Sequence, residues 1–337
     1  MKISRKEFVL KSALLAGGIS TGINSVLKGG ESVPANPKNL PIADTDKKEN
    51  FKVNVFSKTL HWLPVPEMMT FAAEIGFDGI DLTVRPNGHV SPENVEVDLP
   101  KAVEAAKKAG LEIKMIATSI NNAEDPLTER ILKTAGELGI HHYRMDWLFY
   151  NDSKSIEQNL ALIQERMSKL ALLNEKYKVH GEYQNHSGKY TPNSYFGSSL
   201  WDLYTVLNKI NSPWLGSQFD TTHATVEGAY SWETDLKLLS PFIYSLAVKD
   251  FYWSKKNDKW APQISPLGEG MVDFRKFFKL VKLYNIECPV TLHFEYPMGG
   301  AETGARTTTM PRQEIAACMK KDVITLKNYL REANLTI

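Results

Sequence analysis

The amino-acid sequence predicts an α/β chain of the (β/α)8, or TIM, barrel class. Three observations point there. From Phe51 onward, short apolar runs alternate eight times with longer segments of helical periodicity. Most of these runs do not alternate polar with apolar residues, as expected for buried parallel strands. Nearly every run ends in a polar or ionisable residue while the beginnings carry nothing comparable, and barrels of this class build their sites at the C-terminal strand ends. A doubly wound open sheet is the rival, but no Gly-rich phosphate loop follows the first run.

In chain order the predicted strands are "FKVNVFS", "DGIDLT", "EIKMIAT", "HHYRMDW", "VHGEYQN", "LGSQFD", "YSLAVKD" and "VTLHFE". Between them, Ile156, Leu160, Ile163, Met167 and Leu170 share one helical face. Phe274, Phe277, Phe278 and Val281 form a second stripe, and Ile315, Met319, Val323, Leu326 and Leu330 a third. Gly76, Gly110 and Gly139 each follow a periodic segment, where a helix end favours left-handed backbone. The strand ends then supply His61 and Trp62, Asp81 and Arg85, Thr118 and Ser119, and Asp146 and Trp147. The second half supplies Gln184 and His186, Asp220 and His223, Lys249 and Asp250, and Glu295.

Residues 1–50 differ from the rest. A cationic "MKISRKEFVLK" precedes the uncharged, small-residue-rich "SALLAGGISTGINSVL" and a Pro- and charge-rich stretch, the order of an export signal followed by a linker. "SRKEF" resembles a twin-arginine motif with Lys6 at the second position, and Val33-Pro34-Ala35 suits a processing site. The expectation is an exported, periplasmic protein with one barrel domain over residues 51–337 and no stable membrane anchor in the mature form. A net charge of +1 without a basic stretch argues against a nucleic-acid partner. Cys288 and Cys318 lack metal-ligand spacing and read as free thiols.

Four stretches lie in register on the eightfold repeat: "YQNHSG" after the fifth strand, "FDTTH" after the sixth, "VKD" with "PLGEGMVDF" after the seventh, and "HFEY" at the eighth. On these the chain, over roughly residues 51–333, resembles the xylose isomerase-like barrel family. That family includes sugar isomerases, ketose 3-epimerases, inosose dehydratases and the endonuclease IV type of repair enzyme. The resemblance implies a divalent metal (Mn, Mg, Co or Zn) and no nucleotide cofactor. Its ligands would be Glu, Asp, His and Glu on strands five to eight. Asp220 and Glu295 match two of these positions; Gln184 stands for the first Glu, and Ala247 for the His. A Gln oxygen can still face a hard cation but brings no charge and cannot act as a base. The implied metal set is therefore Gln184, Asp220 and Glu295, with His186 or His293 as the nearest imidazole.

Glu295, His186, His223 and Lys249 are the expected catalytic residues. The two histidines match positions that touch sugar hydroxyls in the family, and imidazoles suit proton transfer near neutrality. Lys249 could stabilise an enolate oxygen, serve as a base when desolvated, or pair with Asp250. His61, Trp62, Trp147, Trp253 and Glu269 are the expected substrate contacts, with Tyr195, Trp201 and Trp260 as further rings near that face.

The resemblance implies a sugar isomerase or epimerase that removes a proton next to a carbonyl, metal-assisted. Gln184 favours a lyase or dehydratase acting on a keto-glycoside, where one base suffices. A non-catalytic sugar-binding barrel with a degenerate metal site is the alternative of another class. The expected partner is a small carbohydrate, without a phosphate group, since no Arg/Lys cluster is visible along the chain. A homo-oligomer is left open.

Overall fold

The computed structural model describes residues 51–188 and 194–335. The expected export segment, residues 1–50, lies outside the described residues. Ten strands run β1 (Val53–Phe56), β2 (Gly79–Val84), β3 (Glu112–Thr118), β4 (His142–Arg144), β5 (His180–Gln184), β6 (Leu215–Asp220), β7 (Ile243–Val248), β8 (Asp250–Lys256), β9 (Lys259–Ser265) and β10 (Val290–Leu292). Eight of them close into a parallel barrel in the order β1-β10-β7-β6-β5-β4-β3-β2. The predicted β3 and β6 coincide with the observed strands; β1, β4, β5 and β10 are shorter than predicted, β2 is shifted forward by one residue, and β7 begins one residue earlier and ends two residues earlier.

Helices follow the strands: α1 (Val65–Ile75), α2 (Val95–Lys108), α3 (Pro126–Glu137), α4 (Ile156–Tyr177), α5 (Leu200–Ile210), α6 (Thr221–Gly228), α7 (Trp232–Leu239), α8 (Phe274–Leu283) and α9 (Arg312–Glu332). The periodic stripes face inward, except for Ile156 at the start of α4, which is exposed. Ile163, Met167 and Leu170 of α4, the three phenylalanines of α8, and Ile315, Met319 and Leu330 of α9 are all buried against the barrel. Gly76 ends α1 at φ 105°, a left-handed position that costs glycine nothing sterically. No described helix is long and apolar enough to cross a membrane.

β8 and β9 form an antiparallel hairpin outside the barrel that the eightfold reading absorbed into one loop. Its turn is Asn257-Asp258, with φ of 52° and 57°, the left-handed pair of a tight two-residue hairpin. Asp250 anchors the hairpin's base by accepting the backbone N–H groups of Phe251, Gly268, Gly270 and Val272. A side chain on Gly270 would meet the Asp250 carboxylate at 2.2 Å, so that position needs glycine. Asp250 is thus spent on the backbone and is not the ion-pair partner of Lys249 that the sequence left open.

The barrel interior is polar. Asp81, Arg144, Glu182, Gln184, Gln218 and Asp220 are all buried there or at its mouth. The N-terminal end is also richer than the sequence suggested: Glu182 holds His142 Nδ1 at 2.6 Å and accepts from Ser245 Oγ.

Candidate active site

The site begins where β6 enters α6. The Asp220 side chain caps the helix that starts at Thr221, accepting from the His223 N–H at 3.0 Å. Helical winding turns the His223 ring back onto the barrel, where it is buried. The other carboxylate oxygen of Asp220, Oδ2, accepts from Gln184 Nε2 at 2.8 Å and lies 3.3 Å from Lys249 Nζ.

Lys249 follows β7, and the hydroxyls of Thr221 and Thr222 donate to its carbonyl oxygen at 2.9 and 2.6 Å. Its ammonium sits among three acceptors: His223 Nε2 at 2.8 Å, Glu295 Oε2 at 2.9 Å and Asp220 Oδ2. Burial alone would push the Lys249 pKa down, but the carboxylates of Asp220 and Glu295 outweigh it and hold it above its ordinary value. Burial likewise opposes ionisation of Glu295, and Lys249 together with Lys58, 3.0 Å from Oε1, keeps its carboxyl well below the usual range. Because Lys249 donates to Nε2, His223 is a neutral imidazole whose Nδ1–H points to Ser187 Oγ at 2.9 Å. Burial, then the Lys249 charge, hold His223 in that form.

This donor set does not fit the divalent metal implied by the resemblance. Gln184, Asp220 and Glu295 do converge, yet they converge on an ammonium. The Gln184 oxygen, expected to face the cation, accepts from Arg144 Nη1 at 3.2 Å, which turns the amide NH2 toward Asp220. A dication here would meet Lys249 in its place, Arg144 behind it and an amide presenting its donor face. Ala247 contributes no ligand, and no group of three or more His, Cys, Asp or Glu suited to a metal occurs among the described residues.

His186 lines the pocket beside this cluster. Its Nδ1 lies 3.0 Å from the Ser187 carbonyl, so Nδ1 carries the hydrogen and Nε2 keeps a lone pair. Burial, the adjacent His223 ring at 3.9 Å and Lys249 lower its pKa to about 3. Trp147 stands edge-on to His186 at 4.9 Å, and its buried indole Nε1 has no partner.

The opposite wall is cationic. Phe56, ending β1, is flanked by the guanidinium carbons of Arg144 at 4.7 Å and Arg85 at 5.5 Å from its ring centre. Lys58 completes this wall. The sequence reading saw no Arg/Lys cluster because these residues come from three separate strand ends. Strand parity was the usable signal for Arg144 on β4, two residues before Asp146, whereas Lys58 lies in the 3-10 turn just past β1, where parity does not apply. His293, also lining the pocket, stacks on Phe56 at 4.6 Å and leaves Nε2 buried without a partner.

Other expected contacts lie elsewhere. His223 touches Lys249 and does not line the pocket. His61 is buried against Thr83, with Nε2 3.0 Å from the hydroxyl, and Trp62 packs on Phe71 while donating to Thr59 O. Trp253 is a half-exposed ring on β8, too far along the hairpin to line the pocket. Glu269 is exposed, paired with Lys321 of α9, and does not line the pocket. Trp147, His186, Gln184, Lys249 and Glu295 remain together on the pocket wall, with Asp220 directly behind.

No curated protein matches the chain significantly by sequence. Among solved structures, a probable 3-DHS dehydratase from Bacillus anthracis superposes with a TM-score of 0.62 at 16% identity, covering 82% of this chain and 99% of its own. D-psicose 3-epimerase from Clostridium cellulolyticum H10 gives 0.62 at 12% identity, covering 83% and 99%. The 3-keto-D-glucoside 4-epimerase of E. coli gives 0.61 at 13%, covering 82% and 99%. These likenesses establish the fold. The family model described as xylose isomerase-like TIM barrel matches residues 69–317, so the chain belongs to the xylose isomerase-like TIM barrel family.

Proposed function

We propose that the protein is a sugar-modifying enzyme that removes a proton next to a carbonyl, with the Lys249 ammonium in the position where the family's metal would be expected. The single observation behind this is the placing of Lys249 Nζ within 3.3 Å of Asp220, Glu295 and His223 at the barrel mouth. A fixed, buried cation there can face the oxygen of a developing enediolate without reorganising.

Glu295 is the proton acceptor in this proposal. Two lysines weaken it as a base in the free site. Once Lys249 turns a hydrogen bond from Glu295 to the substrate carbonyl, the carboxylate regains basicity as the C–H bond breaks. Its proton passes to Glu295 and the electron pair to the carbonyl oxygen. His186, beside the Lys249 cluster, offers Nε2 for a hydroxyl proton. His223 positions Lys249. Reprotonation gives an isomer or epimer.

A second reading, loss of a leaving group from the same intermediate, is favoured by Gln184. It leaves Glu295 as the one carboxylate lining the pocket among the described residues, so a two-carboxylate epimerisation lacks its partner. Incubation with a panel of keto-sugars in D2O, followed by NMR, tests the proposal. Deuterium should enter the carbon next to the carbonyl, or an unsaturated product should appear, and Glu295→Gln should abolish both. Equal exchange in the Glu295→Gln protein refutes it.

Export remains part of the proposal, supported by the charge and composition order of residues 1–50. Mass spectrometry of protein from the native host should find a shortened N-terminus; intact Met1 in a cytoplasmic fraction contradicts it.

A further inference from the structure

Arg144 is only 4% exposed, yet of the five hydrogen bonds its guanidinium can donate, it makes one among the described residues, to Gln184. Arg85 makes no side-chain hydrogen bond or ion pair among the described residues and lies against the face of Phe56. A buried guanidinium with most donors unmatched is costly unless something arrives to accept them. Both arginines line the mouth, and the buried Trp147 Nε1–H beside Arg144 is a third unmatched donor.

Among the described residues no carboxylate lies within ion-pair distance of either guanidinium; Asp81 and Asp146 pull on both, and Glu295 and Asp220 on Arg144, only from farther away. Asp81 is buried with both oxygens unpaired, and burial raises its pKa to about 7, against the lowering pull of Arg144. Lys58 and Lys249, by contrast, are already matched by Glu295 and Asp220. The surplus donors therefore sit on the β1–β4 side of the mouth, opposite Lys249 and Glu295.

We infer that Arg85 and Arg144 form an anion subsite that binds the carboxylate of a sugar acid while its carbonyl end faces Lys249 and Glu295. Two planar guanidiniums suit the two oxygens of a carboxylate. The start of α6, at the Asp220 side of the site, is already capped by Asp220 and supplies no further phosphate cradle. This inference rests on the mouth being the sugar site proposed above.

Calorimetric titration of the full chain with D-glucuronate, D-glucose and D-glucose 6-phosphate tests it. Glucuronate should bind at least about tenfold tighter than glucose, the effect of one charge-assisted contact. Arg85→Gln should weaken glucuronate by about 10–100-fold and leave glucose unchanged, with Arg85→Lys intermediate. Arg85 is the variant of choice because it is less buried than Arg144, and near-UV circular dichroism checks its fold. Equal affinity for glucuronate and glucose, or no loss in Arg85→Gln, overturns the subsite. Tighter binding of glucose 6-phosphate than of glucuronate overturns the carboxylate assignment. Binding is read without turnover, so glucuronate bound without deuterium exchange refutes the reaction and supports the subsite.

Discussion

Replacing Lys249 by Met keeps the length of the side chain and removes the charge at the centre of the site. The Lys249 side chain is 2% exposed, and Asp220 beside it is fully buried. Without the ammonium, Asp220 keeps the Gln184 amide and the His223 N–H but loses its only ion-pair partner other than a neutral imidazole among the described residues. Breaking a buried pair on one side costs about 3–5 kcal/mol, a fall in Tm of roughly 6–15 °C for a domain this large. Lys58→Met is the internal control, because Lys58 and Glu295 are both partly exposed and such pairs contribute only about 0–1 kcal/mol. Thermal melts near neutral pH, followed by circular dichroism, read both. A Lys249→Met protein melting within about 2 °C of wild type, a change of under about 1 kcal/mol, would refute the reasoning that Asp220 depends on this cation.

Three further outcomes follow from the same geometry. In the double variant Lys249→Ala with Gln184→Glu, the ammonium is gone and a carboxylate returns, so Mn2+ should bind measurably by calorimetry where wild type shows none. Equal heats in both proteins would contradict the idea that Lys249 fills that position. The pH profile of kcat/KM should show no acid limb near 6.5 from His186, because burial and its neighbours lower its pKa to about 3 and it stays neutral above that. A limb near 6.5 that disappears in His186→Gln counts against this. Asp81 runs the other way: its native pKa of about 7 exceeds the ordinary 3.8. The folded state therefore keeps a proton that the unfolded chain loses as pH rises between these values, and stability falls by about 1.4 kcal/mol per pH unit. Asp81→Asn lacks this loss and should gain on wild type by up to about 4 kcal/mol between about pH 4 and 7 in denaturant titrations. Parallel stability curves for the two proteins would refute it.

The barrel was legible because eight short, mostly non-alternating runs recur between helical stripes, and β3 and β6 were bounded to the residue. The hairpin of β8 and β9 was missed because its polar, half-exposed strands carry no core periodicity, and only Asn257-Asp258 marks its turn. Asp220, Lys249, Glu295 and His186 were found as strand-end residues, since strand ends can be read locally. Their mutual contacts could not. That Lys249 pairs with Asp220 and Glu295 instead of Asp250, or that Gln184 turns its oxygen to Arg144, depends on five strands meeting in a closed barrel. The aromatic residues misled for a related reason: Trp62 and Trp147 occupy similar places in the sequence, and packing on Phe71 removes the first from the mouth.

The most direct test of the account is turnover of one keto-sugar, identified by deuterium exchange, before and after exhaustive chelation and then with Mn2+, Mg2+, Co2+ or Zn2+ restored. An ammonium at the centre of the site predicts the same rate in all samples and none in Lys249→Met. A rate lost on chelation and recovered with one of these ions would contradict it.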